Sequence, residues 1–369
     1  MNNLFKQNKI ILIYFFYLVI GHIFILNLNL NEFPYKYVFS DWLINYEGGF
    51  VRRGLFGHIN YKISVITKFD LKNIIFFFQV LGYILYFGLI YNFFLKIKIN
   101  FFWLLIIFST ISFLYPISEI EALGRKDIYI LLCFLIFTII NPTSLNKLIK
   151  TFLIIFTISS LIHEISFFYL PYYFLVIYFK SYFSIKEKIN NKNILLIVTF
   201  ILFLTYLNLF ISDQVNINKI VYAYENLNFN INFGALSWLS KSLDEHFNFI
   251  IKNISFKNIL RFLYIYLINV WVIIYFIKLK SKIILFSKKF QIKNIFFFLI
   301  LLSISIYLII YDWGRITYIT FNFMIILIIY LQNQDLIDLK YLKKKIELLS
   351  FKKKILIFFF VCILFGPKL

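Results

Sequence analysis

Residues 151–179 read TFLIIFTISSLIHEISFFYLPYYFLVIYF, and the way this run is threaded decides the fold. Its only ionisable residues besides tyrosine are His163 and Glu164, side by side near the middle. A hydrocarbon core about 30 Å thick takes about 20 apolar residues of helix at 1.5 Å per residue. The run is longer than one comfortable span and shorter than two full ones. Read as a hairpin, each arm has about 15 residues and reaches about 22 Å. The tip, with His163 and Glu164, is then expected to lie below the outer membrane surface.

Moving outward from this run, similar apolar blocks recur along the chain. The spans expected are 10–30, 73–95, 101–118, 128–142, 151–164, 166–179, 193–212, 259–277, 294–311, 316–332 and 355–367. The fold class expected is therefore all-α: a polytopic membrane protein of about 11 helices, within a range of 10–12, forming one membrane domain over 1–369. Composition agrees. Hydrophobic residues make up 62% of the chain, where a soluble protein carries roughly 45–50%. Heavy use of Phe, Ile, Lys and Asn reads as the bias of an AT-rich genome and carries no functional weight.

Charge sets the orientation. With the N-terminus cytoplasmic and the 151–179 run a hairpin, the inner segments hold 23 of the 38 basic residues and only four acids: Glu187, Asp335, Asp338 and Glu347. The basic residues sit in short loops, where orientation responds to them most. A single helix at 151–179 would flip everything downstream and put Lys278–Lys293 and Lys340–Lys354 outside, so the hairpin is preferred. The net charge of +21 is thus a topology signal, and no nucleic-acid partner is expected. Lys6 and Lys9 before an apolar run resemble a signal sequence, but no small-residue cleavage site follows, and a retained first helix is expected. Cys133 and Cys362 lie inside apolar blocks and give no disulfide framework or metal spacing.

Two outer segments are long, 31–72 and 213–258. In the first, Leu55, Ile59, Ile63 and Ile66 share one helical face. In the second, Trp238, Leu239, Leu243, Phe247, Ile250 and Ile251 do so, opposite Lys241, Asp244, Glu245, Asn248 and Lys252. Both are expected to hold helices lying in the interface.

Four polar clusters fall on the expected outer side. The first runs from Asp41-Trp42 through Glu47-Gly48-Gly49 to Arg52-Arg53-Gly54. Glycines let backbone N–H groups approach a ligand, and arginines grip phosphate oxygens in a fork. The second, Glu119 to Asp127, contains Gly124-Arg125-Lys126-Asp127; its mixed charges suit a network at a helix end or a plain charged turn. The third is His163-Glu164, costly near membrane depth unless paired or facing a water-filled cavity, and suited to a general base. The alternative is a structural pair bonding helix-end carbonyls. The fourth is Asp312-Trp313-Gly314-Arg315, whose two charges could simply pair across a tight turn. His58 and His246 read as surface histidines. No HExxH, GxSxG, P-loop or dinucleotide fingerprint is present.

This layout and these motifs resemble the C-type glycosyltransferase fold (GT-C) and the broader set of O-antigen and capsule polymerases. The motifs are also similar to those of membrane proteins from bacterial polysaccharide gene clusters. The likeness of topology spans the chain and is unspecific; that of motifs covers about 30 residues. The resemblance implies transfer of a sugar from polyprenyl phosphate at the outer face of the bacterial cytoplasmic membrane. It also implies that an acid of the first outer loop, Asp41 or Glu47, is the catalytic base, with His163-Glu164 in reserve. Arg52, Arg53, Arg125, Lys126, Asp127, Asp312 and Arg315 become candidates for binding phosphate or sugar. The chain departs from many GT-C members in having no clear Asp-x-Asp and no expected soluble C-terminal domain. No cofactor is identified, and a divalent metal is possible without a motif to support it. The partners implied are membrane lipid and the polyprenyl-phosphate-linked sugar. Two other classes remain open. A flippase or other transporter would carry ionisable residues at mid-span, where this chain has few; an acyltransferase could use His163 as its base. A non-catalytic scaffold is the bland alternative.

Overall fold

The computed structural model describes residues 2–33, 37–97, 101–119, 121–211, 216–227, 229, 234–239, 243–253, 256, 278–279, 283–285, 288–290, 298–299, 302, 312–338 and 350–362. The chain divides into two compact units. Unit 1 comprises 1–18, 88–120 and 243–369; unit 2 comprises 19–87 and 121–242. Helices α1 (Asn2–Asn29) and α4 (Leu71–Phe94) contribute to both.

The architecture is helical. Its first half runs α2 (Tyr37–Ser40), α3 (Gly54–Thr67), α5 (Phe101–Ile107), α6 (Tyr115–Ser118), α7 (Asp127–Ile139) and α8 (Leu145–Ile162). There follow α9 (Leu170–Phe179), α10 (Asn191–Tyr206), α11 (Ile217–Glu225), α12 (Ala235–Leu239), α13 (Leu243–Asn253), α14 (Trp313–Asn333) and α15 (Phe351–Cys362). Four helical stretches are long and apolar enough to cross a membrane: Lys9–Asn29, Leu71–Phe94, Leu145–Ile162 and Trp313–Asn333. The expected spans at 10–30, 73–95 and 316–332 coincide with three of them. Those at 259–277 and most of 294–311 lie outside the described residues. The all-helical expectation misses two small antiparallel pairs. Strand β1 (Lys278–Leu279) pairs with β4 (Ile337–Asp338), and β2 (Ile283–Leu285) with β3 (Lys288–Phe290).

Burial identifies the solvent. Along α1 the inward face is Ile11, Phe15, Leu18, His22 and Leu26, while Ile13, Phe16, Tyr17, Ile20 and Phe24 are exposed. The exposed face is as apolar as the buried one. A helix apolar all round is either core or membrane-facing, and these exposed rings border no core. Helix α10 repeats the pattern with Leu195, Val198, Leu202 and Phe203 exposed. This is a membrane protein.

In unit 1, α14 is the buried centre, every residue from Arg315 to Leu331 being shielded. Tyr318 stacks on Tyr115 at 5.0 Å, and Trp103 Nε1 donates to Gln332 Oε1 at 3.1 Å. Here the expected span at 101–118 is corrected. Helix α5 has seven residues, about 10 Å, and the chain then turns. Ser109 Oγ accepts from the Ile111 N–H, and Pro116 opens a new helical turn at α6. Side-chain hydroxyls that capture backbone groups compete with a helix, and proline stops one.

In unit 2 the 151–179 run is a hairpin. Phe152 and Phe156 lie 6.0 and 5.5 Å from Tyr173; in a continuous helix Phe152 and Tyr173 would be about 30 Å apart. The break is written locally. His163 ends α8 in an extended conformation, and its Nδ1 accepts from the Ile165 N–H at 3.2 Å. Ser166 Oγ donates to Ser159 O and His163 O, each at 2.9 Å. A 3-10 turn over Glu164–Tyr169 follows, and Pro171 starts α9, as suits a first helical turn.

Helix α3 departs from the burial of a soluble helix. Its buried side is Phe56, Gly57, Asn60 and Ser64, whereas Ile66 is exposed and Leu55, Ile59 and Ile63 are half-buried. The aliphatic stripe read from the sequence thus runs along the margin of the buried side and becomes exposed at Ile66. In the second long segment α12 and α13 are separate short helices, and Asp244, Glu245, Asn248 and Lys252 of the expected polar face are exposed. The side chains of Leu243, His246, Phe247 and Ile250 lie outside the described residues.

Candidate functional site

Helices α7 and α8 run antiparallel, with Phe137 6.0 Å from Phe152. The two ends of this hairpin differ in chemistry. At one end Lys180 Nζ donates to Phe137 O at 2.5 Å and to Ile140 O, carbonyls in the last turn of α7 and just beyond it, and Lys147, Lys150 and Lys186 lie nearby in the chain. At the other end lie Lys126, which precedes α7, and His163, which follows α8.

The second end gathers residues of three sequence-distant clusters. Arg53 Nε donates to Glu164 Oε2 at 2.7 Å and Oε1 at 2.9 Å, and Nη2 closes the fork on Oε1. Arg53 Nη1 also stands 3.9 Å from Asp41 Oδ1, with Lys126 Nζ 3.6 Å from the same oxygen. Lys126 Nζ donates to Arg53 O at 2.7 Å. Arg53 adopts a left-handed backbone, φ 65°, uncommon for a residue with a Cβ and worth of order 1–3 kcal/mol of strain. That conformation is held from both ends, by Lys126 on its carbonyl and Glu164 on its guanidinium.

The cluster grades from dry to wet. The Lys126 side chain is fully buried and Asp41 nearly so, while Arg53 and Glu164 are about one-fifth exposed. Burial alone would raise the Asp41 carboxyl, but Lys126 and then Arg53 outweigh it and hold it below its ordinary value. Burial pushes the Lys126 ammonium down, with Asp41 pulling against it. His163 is 1% exposed. Its Nδ1 lies 3.3 Å from Glu164 Oε2, and its Nε2 is buried without a hydrogen-bond partner among the described residues.

A framework of aromatic and amide side chains fixes these positions. Gly124 O accepts from Trp42 Nε1 at 2.7 Å and from Gln79 Nε2 at 2.9 Å, and Gly124 N donates to Tyr83 OH at 3.2 Å. The Asp41 and Lys126 loops are thereby tied together by the neighbours of both residues. None of Trp42, Gln79 and Tyr83 was singled out from sequence as a site residue. Gln79, a lone amide inside an apolar block, carried a legible signal.

The remaining candidates separate. Arg52 is half-buried and has no partner among the described residues. Arg125 Nε donates to Glu121 O at 2.8 Å, and its guanidinium lies 4.8 Å from the Tyr37 ring. Asp127 is buried in the first turn of α7, where a carboxylate suits the helix dipole. The arginine joined to the hairpin tip is Arg53. Glu47 pairs with Lys62 at 2.8 Å and lies 3.8 Å from His58 Nδ1. His58, read as a surface histidine, is half-buried beside Tyr46. Asp312 and Arg315 belong to unit 1, where Asp312 caps α14 by accepting from Arg315 N and lies 3.6 Å from Arg315 Nε. Among the described residues no three His, Cys, Asp or Glu side chains gather as metal ligands.

Comparison with protein-family models, with curated proteins and with solved structures gave no match.

Proposed function

We propose that this protein is a GT-C-like membrane glycosyltransferase or polymerase of the bacterial cytoplasmic membrane. In this reading it has about 11 spans and a cytoplasmic N-terminus, and it acts at the outer face on polyprenyl-phosphate-linked sugars in surface-polysaccharide assembly. The observation that carries the reading is the gathering of Asp41, Arg53, Lys126, His163 and Glu164 at one end of the α7–α8 hairpin. The lysine-rich end lies opposite, as the positive-inside bias favours for the cytoplasmic face. The half-buried aliphatic stripe of α3, exposed at Ile66, suits an interfacial helix beside it.

In the reaction, the acceptor hydroxyl oxygen bonds to the anomeric carbon while the bond from that carbon to the phosphate oxygen breaks. The bonding pair leaves with the phosphate, and the hydroxyl proton goes to the base. Asp41 suits that role poorly, because its cations lower its basicity. His163 suits it better. For this role Nδ1 must exchange the Ile165 N–H it accepts from for Glu164 Oε2, 3.3 Å away. Nδ1 then carries the ring proton, and Nε2 keeps its lone pair for the acceptor's. Arg53 orients Glu164, and Asp41 holds Lys126 and Arg53 together. Arg52, whose fork is unused, takes the phosphate oxygens, with Arg125 as its neighbour in role.

Loss of the base lowers turnover about 10²–10⁴-fold, and loss of a transition-state charge contact about 10²–10³-fold. His163→Gln and Arg52→Ala are each expected to abolish surface polysaccharide while the protein accumulates in the membrane. Arg52 has no partner to lose among the described residues, which separates loss of activity from misfolding. Normal polysaccharide in both variants would overturn the assignment. The His163–Glu164 pair would equally serve acyl transfer; in that case His163→Gln leaves glycan length unchanged and removes O-acyl groups.

A further inference from the structure

Unit 2 carries a concavity of about 540 Å³, lined among others by Glu47, Tyr61, Asn216, Asn218, Tyr222 and Asn226. Its size is that of a small-ligand site. One wall is α11, where Asn218, Tyr222 and Asn226 recur every four residues and so share one face about 6 Å apart. All three are exposed, whereas Ile220, Val221, Ala223 and Tyr224 anchor the opposite face. The other wall is Tyr61 of α3, whose ring meets Tyr224 at 5.6 Å. Glu47 closes the side.

The groove is a fixed piece of the fold. Asn216 N donates to Gly48 O at 3.1 Å, and a Cβ on Gly48 would fall 2.3 Å from Asn216 O. Only glycine lets the loop from Glu47 lie this close to α11. Asn216 Oδ1 accepts from Lys219 N, and Asn216 itself is exposed and lines the groove.

Three amides around two tyrosine rings form a lining of alternating donors, acceptors and flat apolar faces. The lining holds one lysine, Lys219, and one carboxylate, Glu47, which Lys62 already pairs. Phosphate is ordinarily gripped by an arginine fork or several clustered cations. This lining holds one lysine and no arginine against three amides and two tyrosines, which suits a neutral polyol better. We infer that the groove binds an uncharged glycan, the sugar chain of donor or acceptor, with Tyr222 stacking on a sugar face and Asn218 and Asn226 bonding its hydroxyls. The inference rests on the glycosyl-transfer reading for the ligand's identity and adds the second half of the substrate, away from the phosphate.

The test is saturation-transfer NMR on the full chain in lipid nanodiscs. The probe is the phosphate-free glycan released by mild acid from lipid-linked oligosaccharides of cells that make the protein. Sugar C–H protons are expected to receive saturation, with loss of signal in Tyr222→Ala and Asn218→Ala, retention in Tyr222→Phe, and no competition by inorganic phosphate. Absence of transfer, or transfer undiminished in Tyr222→Ala, overturns the inference. Tyr222 is 65% exposed, so its truncation leaves the fold intact. The two readings fail separately. Normal polysaccharide in the His163 and Arg52 variants removes glycosyl transfer while glycan saturation stands, and loss of polysaccharide there without saturation removes only the groove.

Discussion

Asp41 shows how a residue chosen for one role can hold another. The first-loop acid was expected to be a base, yet its carboxylate meets Lys126 and Arg53 within 3.6 and 3.9 Å. Removing one member of a buried pair strands the other and costs about 3–5 kcal/mol. Asp41→Asn is therefore expected to lower accumulation and thermal stability, and Asp41→Asn with Lys126→Met to recover most of the loss. A double mutant no more stable than the single would mean the pair is not coupled. The acid dependence follows in sign. The Asp41 carboxyl is depressed in the folded chain, so its contribution is full above the ordinary carboxylate value and is lost as pH falls through the lower folded one. The acid limb of an unfolding titration in detergent should flatten in the double mutant.

At the scale of elements, α3 and the hairpin tip set the site. Helix α3 rests on the turn that carries Asp41, and a Cβ on Gly57 would sit 1.8 Å from Ile44 O and 2.9 Å from Trp42 O. Backbone cannot swing aside as a side chain does. Gly57→Ala should cost about 1–3 kcal/mol or more, measured as a lower melting temperature in detergent, and should lower activity by moving Arg53 and Asp41 together. Wild-type melting in Gly57→Ala would show that the helix–turn contact relaxes freely. The hairpin was legible in length, since 29 apolar residues fit neither one span nor two, and His163, Ser166 and Pro171 supply the break. The division of 101–118 was less legible. Its hydropathy is that of a span, and only the Ser109, Ser112 and Pro116 positions mark the turn.

For the whole molecule the testable quantity is topology. Asp70, after α3, and Lys147, at the start of α8, are both exposed, which makes them accessible reporters. In intact cells Asp70→Cys should react with a membrane-impermeant thiol reagent and Lys147→Cys should not. Reaction at 147 with protection at 70 would reverse the orientation and move the polar cluster to the cytoplasmic side. Glycosyl transfer from an outer-face polyprenyl donor could not then be the activity.

Sequence by itself determined what depends on local composition. Apolar runs fixed the helices because a buried peptide group must bond within its own segment. The cluster residues were visible as mixed-sign charges set beside apolar runs. Tertiary structure decided which of them meet. Arg53, and not its neighbour Arg52, reaches Glu164 because a left-handed turn before α3 aims its side chain at the hairpin tip. No linear pattern encodes that direction. The groove of Asn218, Tyr222 and Asn226 was invisible for the same reason: exposed amides and tyrosines acquire meaning only when α3 and Glu47 stand opposite them, and that pairing joins positions more than 150 residues apart in the chain.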